Sequence, residues 1–120
     1  MQMRKTILVV DDSAAEVRMM QAALEGRGYD VVTASDGEEA IAQTHLCHPD
    51  LVLLDIVLPK RNGYQVCREL KGLQSPPKVI MVSSKCQESD RFWGMKQGAD
   101  QYITKPIDRN VLASAVEQLL

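Results

Sequence analysis

The sequence predicts an α/β fold, a doubly wound (βα)5 arrangement with a five-stranded parallel sheet. Two observations predict it. Short, continuously apolar runs rich in branched residues recur along the chain, as strands buried on both faces require. Between them lie stretches whose apolar residues repeat at helical spacing, so the order reads βαβαβαβαβα, which calls for a parallel sheet with right-handed crossovers and helices on both faces. The length of 120 residues, with 45% apolar and 25% charged residues, suits a single domain with one hydrophobic core. No internal repeat, low-complexity stretch or linker divides it.

The first strand is Ile7-Leu8-Val9-Val10, which ends in Asp11-Asp12-Ser13. Acidic and hydroxyl residues start helices well, and Ala14, Val17, Met20, Ala23 and Leu24 then repeat at helical spacing until Gly26-Arg27-Gly28. Tyr29 to Ala34 reads as the second strand and Ser35-Asp36-Gly37 as a turn. Glu38 to Cys47 follows as a helix, with Ala40, Ile41 and Leu46 toward the core. Leu51-Val52-Leu53-Leu54 is the third strand; it ends at Asp55 and passes into the loop Ile56 to Gly63. Tyr64 to Leu73 is a helix with Val66, Cys67 and Leu70 inward, broken by Ser75-Pro76-Pro77. Lys78 to Ser83 is the fourth strand, Ser89 to Gln97 a helix closed by Gly98, and Gln101 to Thr104 a short fifth strand. Asp108 caps a last helix ending at Leu120.

The totals exclude several classes. A net charge of −2 and a pI near 5.6 give no support to nucleic-acid binding. No apolar run approaches the roughly 20 residues that span a bilayer, and no signal-peptide pattern follows Met1, so a cytoplasmic protein without membrane insertion is expected. Cys47, Cys67 and Cys86 are an odd set without CxxC spacing, which reads as reduced thiols. His45 and His48, at a helix end, read as a dipole partner and a turn residue, and Lys60-Arg61 as a solvated loop.

Ligands of open α/β sheets bind outside the carboxyl ends of the strands. Here those ends carry Asp11 and Asp12, Asp55, Ser83 and Lys105. Neighbouring carboxylates repel one another and need a cation; oxygen ligands with room for water and phosphate suit Mg²⁺. Lys105 adds a fixed positive charge and Ser83 a hydroxyl donor. Such a site can stabilise charge on a phosphoryl group in transfer, with Asp55 as the best-placed nucleophile. No GxxxxGK[ST] loop is present, which argues against a P-loop nucleotide enzyme.

Val-Val-Asp-Asp-Ser, Leu-Leu-Asp-Ile-Val-Leu-Pro-x-x-Asn-Gly, Met-Val-Ser-Ser and Tyr-Ile-Thr-Lys-Pro together resemble the receiver domains of two-component response regulators. The resemblance spans essentially the whole chain. It implies a flavodoxin-like, CheY-like fold and one receiver over residues 1–120 with no output domain. Such a receiver is a signalling switch, not an enzyme beyond its own phosphorylation and dephosphorylation. A histidine kinase would phosphorylate Asp55. Asp12 and Asp55 would ligate Mg²⁺ directly, the Val57 backbone carbonyl would be a third ligand, and Asp11 would act mostly through water. Ser83 and Lys105 would engage the phosphoryl oxygens, Tyr102 would be a rotamer switch that turns into space left by Ser83, and Lys105-Pro106 would be cis. The segment Ser83 to Ala99 is similar to stand-alone receivers of type IV pilus (twitching) chemosensory systems, which implies pilus or motility machinery downstream. Val57 and Lys85 depart from commoner versions of the pattern and bear on the lifetime of the phosphorylated form.

Other readings stay open beside this one. Tyr102 suits a half-buried packing residue as well as a switch. Phe92 and Trp93 suit either packing or a partner face formed by the fourth helix, fifth strand and fifth helix. A haloacid-dehalogenase-type phosphatase also uses an Asp nucleophile and Mg²⁺, but it would want Asp-x-Asp at the first strand, and Asp11-Asp12 are adjacent. A flavin-binding flavodoxin would want a Ser/Thr/Gly-rich loop after that strand, and this one is acidic.

Overall fold

The computed structural model describes residues 4–120; Met1 to Met3, on which the expectation about the chain's start partly falls, lie outside the described residues. Five strands and five helices alternate: β1 (Thr6–Val10), α1 (Ala14–Leu24), β2 (Asp30–Ala34), α2 (Gly37–Cys47), β3 (Leu51–Leu54), α3 (Gly63–Lys71), β4 (Lys78–Ser83), α4 (Glu88–Lys96), β5 (Gln101–Thr104) and α5 (Arg109–Leu119). All strands pair in parallel in the order β2-β1-β3-β4-β5. Helix starts follow their caps: Asp36 accepts from the Glu39 N–H, Asn62 and Gln65 form a capping box, and Asp108 accepts from Asn110 and Val111. No helix among the described residues is long and apolar enough to cross a membrane.

The expected single core is two clusters, because successive strand residues point to opposite faces. Ile7, Val9, Leu51, Leu53, Ile80 and Val82 pack with Met20, Leu24, Leu112 and Val116 of α1 and α5. Leu8, Val10, Val52, Leu54, Val79 and Met81 pack on the other face with Ala40, Val66, Leu70 and Tyr102. Each fully buried Leu, Ile or Val contributes about 1.5–3 kcal/mol. An exposed ion pair such as Arg4–Asp30 contributes about 0–1 kcal/mol, so the two clusters hold the fold.

Two expectations change. Leu46 is 76% exposed. The inward face of α2 is Gly37, Ala40 and Thr44, and two residues past Thr44 is about 200° around the helix. Buried Thr44 satisfies its hydroxyl by donating to the Ala40 carbonyl at 2.8 Å. Ala14 is exposed, so the inward stripe of α1 begins at the half-buried Val17. Lys60 and Arg61 are exposed but paired, Lys60 with Asp36 at 3.6 Å and Arg61 with Glu69. His45 lies in the last turn of α2 and His48 is its left-handed cap, with φ 47°.

The end of β3 and the start of α3 touch backbone to backbone. The Gly63 N–H donates to the Ile56 carbonyl at 2.7 Å, and a Cβ on Gly63 would lie 2.2 Å from the Asp55 carbonyl oxygen and 2.7 Å from Ile56 Cα. Gly63→Ala therefore displaces the loop that follows Asp55 and lowers stability by about 1–3 kcal/mol in urea unfolding; a loss within about 0.5 kcal/mol, typical of a tolerated surface change, would contradict the contact. The cysteines predict a second outcome. Cys67 is fully buried and burial pushes its thiol up to about 11, whereas Cys86 is exposed. Because the thiolate is the reactive form, iodoacetamide at mildly alkaline pH should modify Cys86 in the native protein and Cys67 only on unfolding, as mapped by mass spectrometry.

Candidate functional site

In this strand order β2 lies on one side of β1 and every later strand on the other. The loops after β1 and β3 therefore diverge and leave a crevice outside their carboxyl ends. Asp11 and Asp55 occupy the next rung of the sheet: the Asp11 N–H donates to the Ala34 carbonyl at 3.1 Å and the Asp55 N–H to the Val10 carbonyl at 3.0 Å. Both are buried, at 2% and 7% exposure, because the branched residues just before them bury the backbone on both faces. Asp12 is exposed at the rim.

Each buried carboxylate is partnered on both oxygens. Asp11 Oδ1 accepts from the Ser13 N–H at 2.9 Å and Oδ2 from Lys105 Nζ at 2.7 Å. Asp55 Oδ1 accepts from the Ile56 N–H at 2.7 Å and the Val57 N–H at 3.4 Å, and Oδ2 from Lys105 Nζ at 3.2 Å. Burial draws the Lys105 pKa down, but the hydrogen bond to Asp11 and the charges of Asp55 and Asp11 outweigh it, leaving it above the usual lysine value. The ammonium is therefore charged at neutral pH. Lys105 is aimed here by the end of β5: its N–H donates to the Ser83 carbonyl at 2.9 Å, and its peptide bond to Pro106 is cis.

One ammonium does not balance three carboxylates. Asp11, Asp12 and Asp55 each offer an oxygen within 4.8 Å of the others. They line an open cleft of about 520 Å³ together with Ser13, Glu16, Val57, Ser84, Lys105 and Pro106. Excess negative charge, oxygen-only donors and an open side fit a hard divalent cation that keeps water ligands, as Mg²⁺ does.

Asp11, Asp12, Asp55, Val57 and Lys105, all named from the sequence, meet at this cleft. Ser83 stands apart. It is fully buried at the end of β4, its hydroxyl accepting from the Lys85 N–H at 3.3 Å, and the neighbouring Ser84 lines the cleft instead. Tyr102 is 7% exposed, with its ring against Gly94 and its hydroxyl donating to the Lys85 carbonyl at 2.6 Å. The ring is thus inward while Ser83 is still in place.

Phe92 and Trp93 are exposed on α4, edge to face at 5.6 Å, and of that helix only Gly94 is buried. Phe92 and Met95 line an apolar groove with Glu88, Arg91 and Lys96. Val111 of α5 is exposed as well.

Sequence reasoning passed over Glu16, which lines the cleft from the first turn of α1. Its Oε2 is shielded from water and has no hydrogen-bond partner among the described residues. Its position four residues after Asp12, opposite the strand ends, was the available signal.

Known proteins with this architecture agree with one another. The family described as "Response regulator receiver domain" matches residues 7–117. The alkaline phosphatase synthesis transcriptional regulatory protein PhoP of Bacillus subtilis is 42% identical over 118 residues, which cover 98% of this chain but about half (49%) of PhoP. Protein PilH of Pseudomonas aeruginosa is 41% identical over 116 residues, covering 95% of this chain and 96% of PilH. The chemotaxis response regulator CheY4 of Vibrio cholerae has the same fold, with a TM-score of 0.90 over 98% of this chain and 100% of that one, at 24% identity. A match that runs from β1 into α5 leaves one assignment: the chain belongs to the response regulator receiver domains, the signalling switches of two-component systems.

Proposed function

We propose that Asp55 accepts a phosphoryl group from a histidine of a partner kinase and that this chain relays the change to a protein target. The observation that carries the reading is the geometry at Asp55. Its Oδ1 is committed to two backbone N–H groups, while Oδ2 holds only the Lys105 ammonium. Oδ2 is therefore the oxygen free to attack phosphorus. The new bond is an acyl phosphate, and the bond that breaks is the one from phosphorus to the imidazole nitrogen, which departs with its electron pair. Mg²⁺, held by Asp12 and Asp55 with the Val57 backbone carbonyl and, through water, Asp11, would neutralise charge on the transferring oxygens. Lys105 then pairs with a phosphoryl oxygen, which carries more charge than the carboxylate it leaves.

The relay starts at Ser83. Its hydroxyl accepts from the Lys85 N–H, and the Lys85 carbonyl accepts from the Tyr102 hydroxyl. A Ser83 hydroxyl drawn toward a phosphoryl oxygen gives up Lys85, and Lys85 then shifts against Tyr102 and the side of α4 that bears Phe92, Trp93 and Met95. Target binding to the α4–β5–α5 face reports the shift. Val57, which is 57% exposed at the cleft, and Lys85 control how water reaches the acyl phosphate, and so its lifetime. Similarity to PilH over nearly the full length of both chains supports a chemosensory system of the pilus or motility kind as the setting.

Incubation with acetyl phosphate and Mg²⁺ should give one hydroxylamine-sensitive phosphoryl label, absent from Asp55→Asn; unchanged labelling of that variant would sink the assignment. Lys105→Ala removes a cation that competes with the metal. It should tighten Mg²⁺ binding, read by calorimetry, on the order of tenfold, or about 1.4 kcal/mol, while loosening the link between labelling and target binding. Weaker Mg²⁺ binding in that variant would place the metal elsewhere.

A further inference from the structure

We propose that Glu16 is a further positioning residue of the cleft: its carboxylate accepts a hydrogen bond from a water carried by the divalent cation. This rests on the cation reading of the cleft given above. Ser13-Ala14-Ala15-Glu16 has the spacing of a capping box. In that motif the hydroxyl accepts from the N–H of the third helical residue, and the glutamate reaches back to the N–H of the cap. Only half of the box is built. The Ser13 hydroxyl accepts from the Glu16 N–H at 3.3 Å, but the Ser13 N–H donates to Asp11 Oδ1 at 2.9 Å. Two other helices show the bond that Glu16 lacks: Gln65 accepts from the Asn62 N–H at 3.2 Å in α3, and Asp90 from the Gln87 N–H at 3.1 Å in α4. Asp11 thus takes the partner that local geometry would give to Glu16.

No other group among the described residues replaces that partner. Glu16 is half-buried, its Oε2 is shielded from water, and it is the one buried side-chain oxygen or nitrogen left without a hydrogen bond among the described residues. Lys105, which shares the cleft, directs its bonds to Asp11 and Asp55 and makes no ion pair with Glu16. A shielded carboxylate oxygen without a donor costs stability, so a donor from outside the chain is called for. The cleft is the side from which it can come, since Glu16 lines it with Asp11, Asp12 and Asp55. A small hard cation keeps several of its waters, and their protons point outward toward such acceptors. An outer carboxylate orients the inner ligands and adds attraction without taking a coordination position, which stays free for a phosphoryl oxygen.

Calorimetric titration of the metal-free protein with MgCl2, together with urea unfolding in EDTA, tests it. Glu16→Gln keeps the shape of the side chain and removes its charge. It should bind Mg²⁺ about tenfold more weakly, the lower end of the loss that follows removal of an outer partner. Its unfolding midpoint without metal should stay at or above that of the wild type, because the orphaned carboxylate is gone. Glu16→Asp keeps the charge and shortens the reach by one methylene, and should lose nearly as much affinity. Wild-type Mg²⁺ binding by Glu16→Gln overturns the proposal. So does full affinity in Glu16→Asp, which leaves only charge acting at a distance, and so does a lower metal-free midpoint in Glu16→Gln, which makes the side chain a support of α1. Asp12→Asn separates this inference from the reading beneath it. Weakened binding there beside an unchanged Glu16→Gln removes this inference alone; undiminished binding there moves the cation out of the cleft and removes both.

Discussion

The Lys105 ammonium, 2.7 Å from Asp11 and 3.2 Å from Asp55, is the interaction on which the rest of the molecule depends. Removing one partner of a buried ion pair is far more damaging than never having built it, on the order of 3–5 kcal/mol. Here the pair joins the ends of three strands: β1, β3 and, through Lys105, β5. The two carboxylates are tolerable at the end of an apolar sheet only because that ammonium and the backbone N–H groups of Ser13, Ile56 and Val57 reach them. The compensation is deliberately incomplete in its effect: Asp12 adds a further charge within reach of the same point, and the cleft keeps an open side. A site that is stable yet still short of positive charge is suited to a divalent cation.

From that crevice a short polar path leads across the top of β4 and β5. Ser83, the Lys85 backbone and the Tyr102 hydroxyl are joined by hydrogen bonds of 3.3 and 2.6 Å. The two bonds fall on consecutive peptide units that share the Lys85 Cα, so the path runs through one residue. The apolar side chains of α4 lie beyond it, with Phe92 and Trp93 more than half exposed. A helix that buries only Gly94 gains little from packing, so α4 is the helix most easily shifted by a change in Lys85 or Tyr102.

Much of the fold was legible because it rests on local rules. Continuous apolar runs marked β1, β3 and β4, and Asp11-Asp12-Ser13 and Asp108 marked helix starts within a residue or two. Leu46 misled because an apolar residue near a helix end has no fixed direction until Ala40 and Thr44 establish which face is inward. Ser84 was not named, because the course of the chain just past β4, which brings it to the cleft beside buried Ser83, is set by tertiary packing. Glu16 offered only its place four residues after Asp12, because the cleft it shares with Pro106 is closed by residues from the far end of the chain.

By itself the sequence determined the α/β class, the parallel order of elements and the residue types delivered to the strand ends. These follow from periodicity, capping and the fact that a parallel strand exposes its next residue at the carboxyl edge. Only the tertiary structure decided which of those residues touch. The strand order brings Asp11 beside Asp55 and carries Lys105 back to both; the packing of α4 on the sheet sets Gly94 against the Tyr102 ring. Contacts between residues that lie far apart in the chain are set by packing distances of a few tenths of an ångström, which no local pattern encodes.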